Sequence, residues 1–161
     1  MIVLVMGVSG AGKTTVGARL ARELGWVFVD ADDLHPPANI EKMRSGKPLD
    51  DQDRAPWLAA LAARIAQLID EGRGAVIACS ALKAAYRAQL LVDPARMRVV
   101  HLTGDPALIA ARLAARKAHF MAPGLLPTQL AALEPPEDAI HVDIDGTPDE
   151  IAAAVRRALG L

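Results

Sequence analysis

The sequence predicts an α/β fold in which helices cover both faces of a parallel sheet. Short apolar runs, continuous rather than alternating, take turns along the chain with segments of helical periodicity, as expected for strands buried on both faces. The first of these runs leads through a glycine-rich loop directly into a helical pattern. With 161 residues, 52% of them hydrophobic, the chain is expected to form one domain over residues 1–161.

The first strand and helix enclose the most informative stretch of the chain. The strand is predicted over residues 2–6, and a helix begins near Lys13 and ends at Gly25. Between them stands Gly7-Val8-Ser9-Gly10-Ala11-Gly12-Lys13-Thr14, a match to G-x-x-x-x-G-K-S/T. A glycine-rich turn can match by accident, but the strand before it and the helix after it indicate a phosphate-binding loop.

The residue types of this loop suit a nucleotide. Its glycines allow positive φ angles and bring backbone N–H groups close to phosphate oxygens, at the positive end of the helix. Lys13 is expected to reach the β- and γ-phosphates of ATP, and the Thr14 hydroxyl to ligate Mg²⁺. The predicted ATP-binding residues are Gly7, Val8, Ser9, Gly10, Ala11, Gly12, Lys13, Thr14 and Thr15.

Acidic residues follow the second predicted strand, residues 26–29. If the backbone stays extended, Asp30 and Asp32 point to the same side, where one can serve the Mg²⁺ ion and the other a substrate hydroxyl. Such residues also cap helices or lie in solvated turns, and this is the role predicted for Asp33.

A polar, proline-punctuated insertion, about residues 33–57, separates the second and third strands and is expected to build a substrate pocket. Pro37 and Gly46 bracket a short helix, and a longer helix with an apolar stripe follows from Leu58. Taken alone, the charges of this insertion are equally typical of a solvated surface.

The third predicted strand, residues 75–79, ends at Cys79, whose apolar neighbours predict a buried and unreactive thiol. Ser80 opens a predicted helix through residue 91. Lys83 and Arg87 are four apart and would share one face of that helix, forming either an anion site or a pair of surface cations.

The last part of the chain predicts two more strands, residues 98–102 and 139–144, the second alternating in polarity like an edge strand. A helix through Arg116 places Arg112 and Arg116 at its end, where they also suit the helix dipole. A basic break at residues 117–124, followed by helix over 125–133, has the form of a lid. Thr147 and Pro148 begin a final helix that ends at Gly160.

Composition excludes several classes of protein. A net charge of −1 and few aromatic residues give no drive toward nucleic acid, and no apolar stretch is long enough to span a membrane. A single cysteine excludes an intrachain disulfide and favours the cytoplasm. The four histidines lack metal-ligand spacing, so no zinc site is predicted.

These motifs together resemble the gluconokinases of the small phosphate-loop type, relatives of shikimate and nucleoside monophosphate kinases. Beyond the loop, the resemblance rests on segments 30–36, 39–43, 46–49, 53–58, 79–83 with 86–87, 112–117, 119–120 and 125–134. The most specific are Leu34-His35-Pro36 and Cys79-Ser80-Ala81-Leu82-Lys83. Ala118, where glycine is expected, and Pro37 after Pro36 are small departures.

The resemblance implies transfer of phosphate from ATP to D-gluconate, giving 6-phosphogluconate for the pentose phosphate route. It also implies Mg²⁺ as cofactor, a homodimer, and a three-layer sandwich with sheet order 2-3-1-4-5. A kinase of another small polyol or hydroxy acid, such as shikimate, uses the same parts. A nucleotide-switched binding module is a further alternative, although the sequence has no guanine-reading N-K-x-D motif.

The resemblance also implies roles for individual residues. Lys13 and Arg116, with Arg112, would spread the charge of the migrating phosphoryl group. Asp32 would accept or orient the proton of the substrate hydroxyl, with Asp30 in the outer coordination shell of the metal. The candidates for holding the gluconate carboxylate are Arg54, Lys83 and Arg87, Arg54 being favoured by its likeness to a shikimate-binding arginine, and His35 and Ser80 are candidates for the sugar hydroxyls.

Overall fold

The computed structural model describes residues 1–116 and 126–161. Its strands are β1 Ile2–Met6, β2 Val27–Asp30, β3 Ala75–Ala78, β4 Met97–Thr103 and β5 Ile140–Asp143. Its helices are α1 Lys13–Leu24, α2 Pro37–Arg44, α3 Asp51–Asp70, α4 Ala84–Leu90, α5 Pro106–Ala114, α6 Leu126–Ala132 and α7 Pro148–Leu159. Two short 3-10 turns, Ala31–Leu34 and Pro94–Arg96, precede α2 and β4.

The five strands form one parallel sheet in the order β2-β3-β1-β4-β5, as expected. The central strand β1 is buried along its whole length, which is why its sequence is continuously apolar. The edge strand β5 buries Val142 and exposes His141 and Asp143, so its alternating pattern is confirmed.

Helices cover both faces of the sheet, which confirms the three-layer arrangement. On one face α1, α5 and α7 pack against Val3 and Val5 of β1, and on the other α3 and α4 pack against Ile2 and Leu4. Burying each large aliphatic side chain in these cores contributes about 1.5–3 kcal/mol. Packing on both faces holds the sheet in place, and with it the loops at the carboxyl ends of its strands.

The phosphate loop is pressed against α5. Gly10 has a φ of +87°, and a Cβ placed there would lie 3.0 Å from the Ile109 carbonyl oxygen and 3.1 Å from the Leu113 Cβ. Because any side chain would collide with this helix and strain the backbone, only glycine fits. The loop is therefore fixed against α5 at the carboxyl end of β1.

Two helix starts differ from the sequence prediction. Helix α3 begins seven residues before the predicted stripe because Asp50 and Asp53 form a reciprocal capping box. Helix α4 begins only at Ala84 because Ala81 has a left-handed φ of 46° that no helix accommodates. Lys83 therefore precedes the helix, and the prediction that it shares a helical face with Arg87 is wrong.

The predicted lid, residues 117–124, lies outside the described residues and stays a prediction. The helix expected after it is present as α6. None of the helices within the described ranges is both long and apolar enough to cross a membrane.

Candidate active site

The phosphate loop lies at the carboxyl edge of the sheet, where open α/β sheets bind ligands. Gly12, with a φ of 93°, caps α1 without a side chain, so the first amides of the helix face the loop. The Lys13 ammonium donates to the Val8 carbonyl at 3.0 Å across the loop. The buried Ser9 hydroxyl has no partner among the described residues, and these groups together suit a phosphate.

Lys13 is the electrostatic centre of the loop. Burial lowers the pKa of its ammonium, the Asp32 carboxylate opposes that shift, and the Arg116 guanidinium adds to it. Asp32 and Arg116 therefore both lie within electrostatic reach of Lys13.

Asp30 joins the end of β2 to the phosphate loop. One carboxylate oxygen, Oδ2, accepts from the Thr14 hydroxyl at 2.9 Å, and the other, Oδ1, accepts from the Asp32 amide at 3.0 Å. Burial, and then the Asp32 charge, raise the pKa of Asp30. The backbone turns into the 3-10 segment after Asp30 instead of staying extended, so the capping role predicted for Asp33 belongs to Asp30.

The pair of Thr14 and Asp30 fits a magnesium ion. Mg²⁺ prefers oxygen ligands and is held in kinases by one or two protein groups together with phosphate oxygens and water. Within the described ranges no group of three or more His, Cys, Asp or Glu side chains is placed to hold a metal alone. The hydroxyl and carboxylate beside Lys13 are what a nucleotide-bound Mg²⁺ needs from the protein.

An open pocket, about 680 Å³ when the solvent at its mouth is included, adjoins the loop. Its walls come from the insertion between β2 and β3, from the segment after β3, and from α6. It is lined by Asp32, His35, Met43, Pro48, Leu49, Arg54, Trp57, Ser80, Ala81, Leu82, Lys83, Tyr86, Thr128, Gln129 and Ala132. The structure thus gathers five of the six predicted substrate residues in one pocket.

Trp57 of α3 positions Asp32 and His35 in this pocket. The Trp57 indole N–H donates to the Ala31 carbonyl at 2.7 Å, and the His35 ring stacks on the indole with centroids 4.1 Å apart. His35 Nε2 lies 4.0 Å from Asp32 Oδ1. Burial lowers the pKa of His35 to about 4, so the imidazole is neutral at pH 7 and suits a hydroxyl rather than an anion.

Two cations face the pocket on the side of Tyr86. Nη1 of Arg54 donates to the Leu49 carbonyl at 2.7 Å and to the Tyr86 hydroxyl at 3.1 Å. That hydroxyl donates to Asp51, whose carboxylate also lies 3.5 Å from Lys83 Nζ. Because a guanidinium carries five donors, Arg54 has capacity for a carboxylate beyond these two contacts.

Two arginines make contacts that the sequence did not predict. Arg87 does not line the pocket, since its buried guanidinium donates to the backbone carbonyls of Ala81, Leu82 and Glu134, and its predicted role in contacting substrate is corrected on that ground. Arg112 donates to the carbonyls of Ile144 and Gly146, at 2.7 and 3.1 Å. These described contacts tie Arg112 to the loop after β5.

Sequence reasoning missed Gln129 as a site residue. Its Oε1 accepts from the Ser9 amide of the phosphate loop at 2.6 Å, and the same side chain lines the pocket. Gln129 is 120 residues away from Ser9 in the chain. No local pattern could therefore pair them, and the only sequence signal was its place in the motif that follows the predicted lid.

The chain is similar over nearly its full length to known kinases. A family model described as an AAA domain matches residues 2–136. A gluconokinase of Gluconobacter oxydans is 50% identical over 151 residues, 92% of this chain and 85% of that protein. A probable gluconokinase of Rattus norvegicus is 47% identical, with 98% of this chain and 97% of the relative covered. A solved gluconokinase from Sinorhizobium meliloti has a TM-score of 0.87 at 41% identity, covering 98% of this chain and 90% of its own. With this phosphate loop and this pocket beside it, the chain belongs to the gluconokinase family of P-loop kinases.

Proposed function

We propose that the protein transfers the γ-phosphoryl group of ATP to D-gluconate, giving ADP and 6-phosphogluconate. The observation that carries the proposal is the place of Asp32, which lines the pocket and also acts on Lys13 of the phosphate loop. An acceptor hydroxyl beside Asp32 would therefore face the phosphate carried by the loop. Relatives at 50% and 47% identity that bear the name gluconokinase supply the identity of the acceptor.

In the proposed reaction Asp32 takes the proton of the primary hydroxyl of gluconate as that oxygen bonds to the γ-phosphorus. The bond from phosphorus to the β–γ bridging oxygen breaks, and ADP leaves with the electron pair. Lys13 and Arg116 spread the negative charge of the moving phosphoryl group, which is the main form of catalysis in such transfers. Mg²⁺, when bound with the nucleotide, would neutralise phosphate charge beside Thr14 and Asp30.

Recognition of the acceptor is divided between cations and neutral groups. We assign the gluconate carboxylate to Arg54 and Lys83, which line the pocket near Tyr86. The neutral imidazole of His35 and the Ser80 hydroxyl would bind sugar hydroxyls. Arg112 is a candidate for supporting ATP binding. It would act indirectly, by holding the loop after β5 through its hydrogen bond to the Ile144 carbonyl.

Three further properties belong to the same proposal. Mg²⁺ is the required cation, because the Thr14 hydroxyl and the Asp30 carboxylate supply the oxygen ligands that it prefers. The active protein is a homodimer, as the family resemblance implies. Its compartment is the cytoplasm, which supplies ATP and suits the single reduced cysteine.

The test is ADP release by the purified protein, coupled to a spectrophotometric readout, over a panel of acceptors. D-Gluconate is compared with D-glucose, which lacks the carboxylate, with shikimate, and with a nucleoside monophosphate. Saturable stimulation by gluconate, with little response to glucose, is expected. Stimulation by shikimate or the nucleotide alone would assign a different acceptor, and slow hydrolysis unaffected by every acceptor would indicate a nucleotide-switched module.

A further inference from the structure

The wall of the pocket formed by residues 80–83 contains a backbone conformation that its sequence does not favour. Ala81 has a φ of 46° and is only 2% exposed. An alanine in the left-handed region is strained because its Cβ crowds the neighbouring carbonyl. Such strain persists only where surrounding contacts hold it.

Arg87 supplies those contacts. Its Nη1 donates to the Ala81 carbonyl at 2.7 Å and to the Leu82 carbonyl at 3.1 Å, while its Nη2 donates to the Glu134 carbonyl at 2.7 Å. The planar fork of a guanidinium is suited to bridging several acceptors at fixed angles, which an ammonium group cannot do. Arg87 is 7% exposed, and burial lowers the pKa of its guanidinium.

Glu134 completes the connection from the other side. Its amide donates to the Leu82 carbonyl at 2.8 Å, and its Oε1 accepts from the Ala84 amide at the start of α4 at 3.1 Å. Glu134 lies two residues after α6, which contributes Thr128, Gln129 and Ala132 to the pocket. The contacts of Arg87 and Glu134, here called the brace, therefore tie two walls of the pocket together.

We propose that the brace is a positioning device for the acceptor site. It holds the left-handed turn at Ala81 and fixes the distance between the segment 80–83 and α6, so that Ser80 and Lys83 face the acceptor. Arg87 thus acts on gluconate through the backbone and not by contact. This inference rests on the proposed function, because the pocket is taken to be the gluconate site.

The experiment compares the gluconate KM, the ATP KM and the melting temperature of Arg87→Lys, Glu134→Ala and Glu134→Gln with those of the wild type. Loss of the buried, oriented hydrogen bonds of Arg87 is expected to raise the gluconate KM by about 10-fold in Arg87→Lys, with the ATP KM within about twofold. Glu134→Ala loses only the exposed hydrogen bond to the Ala84 amide, because the other described hydrogen bonds of Glu134 are made by its backbone, and should raise the gluconate KM several-fold without changing the ATP KM. Glu134→Gln keeps an acceptor for the Ala84 amide and should stay within about twofold of wild type.

The matched control is Glu150→Ala. Glu150 belongs to the capping box of α7, which packs on the opposite face of the sheet. This variant should lose stability and keep both KM values. It separates general destabilisation from displacement of the pocket wall.

A second variant tests the left-handed turn directly. Glycine adopts positive φ without strain, so Ala81→Gly in the Arg87→Lys background should recover several-fold of the lost gluconate affinity. A gluconate KM that stays at the wild-type value in both Arg87→Lys and Glu134→Ala overturns the proposal, and so does a parallel rise in the ATP KM. If Arg87→Lys fails to fold, Glu134→Ala alone decides. If wild-type protein does not turn over gluconate, the proposed function fails first, and the brace is then tested with the acceptor that is turned over.

Discussion

Asp30 and Asp32 are two residues apart, yet their surroundings differ. Both carboxylate oxygens of Asp30 accept hydrogen bonds, one from the Thr14 hydroxyl and the other from the Asp32 amide in the turn that follows Asp30. Asp32 lines the acceptor pocket, close to His35 and within electrostatic reach of Lys13. One residue therefore serves the nucleotide side of the site, and the other stands between nucleotide and acceptor.

Conversion of each acid to its amide should separate these functions. Asp32→Asn keeps the shape but cannot take a proton, so kcat should fall roughly 100-fold or more with little change in ATP binding. Asp30→Asn should weaken ATP affinity and Mg²⁺ dependence together. Steady-state kinetics, calorimetric ATP binding and melting temperatures of both variants distinguish the cases. If Asp32→Asn turns over gluconate within a few-fold of wild type, Asp32 has no part in proton transfer.

Lys13→Ala should abolish transfer and leave the fold intact. The ammonium makes one described hydrogen bond, to the Val8 carbonyl, whereas its charge would be needed in the transition state. Loss of that stabilisation costs several kcal/mol of activation free energy, or a factor of about 100 or more in kcat. The measurement is gluconate-dependent turnover beside a circular dichroism spectrum. Near-normal turnover would remove Lys13 from the reaction.

At the scale of elements, most patterns that depend on neighbours in the chain predicted well, although the local capping box that starts α3 was missed, and those that depend on distant contacts did not. The buried strands, the glycine loop and the capping box of α7 are local, and the structure confirms them. The left-handed Ala81 is not visible in a string of helix-forming residues, so α4 was predicted to start too early. Arg87 was read as a pocket cation because its three carbonyl partners lie in parts of the backbone whose positions only the fold determines.

Helix α3 should act on catalysis through Trp57. Trp57→Phe keeps a ring for His35 to stack on but removes the donor to the Ala31 carbonyl, so the turn that carries Asp32 is less firmly held. We expect a loss of about 1 kcal/mol in stability, together with a several-fold lower kcat. Trp26→Phe is the matched control, because Trp26 precedes β2 and packs on Gly74 before β3. Equal kcat values in the two variants would show that the indole N–H does not position Asp32.

At the scale of the whole molecule, two buried histidines make stability depend on pH. Burial lowers the pKa of both His35 and His101 to about 4, with Asp32 and Arg54 facing the first, and His141 and Arg87 the second. An unfolded histidine titrates near pH 6.5. Between pH 6.5 and 4 the unfolded chain therefore binds protons that the native protein does not. The stability of the native protein consequently decreases as the pH is lowered through this window.

The slope should approach 1.4 kcal/mol per pH unit for each histidine within that window. Urea unfolding at pH 7, 6 and 5 measures it, and His101→Leu should remove about half of the histidine contribution because one of the two buried histidines is lost. The buried Nδ1 of His101 has no partner among the described residues, so leucine breaks no hydrogen bond at that atom. Comparison with wild type at each pH cancels the contribution of the carboxylates. An unchanged slope in His101→Leu would mean that His101 does not titrate in this range.

The buried Cys79 makes the molecule convenient for site-directed labelling. This cysteine is the only one in the chain, is 2% exposed, and has a pKa raised by burial to about 12, so almost no thiolate is available to a maleimide at neutral pH. New cysteines can therefore be introduced without first removing the native one. A donor dye at Arg44 of α2 and an acceptor dye at Ala131 of α6 occupy exposed positions on two elements that both contribute residues to the walls of the pocket. Fluorescence transfer between them would report the separation of those walls in single molecules during turnover.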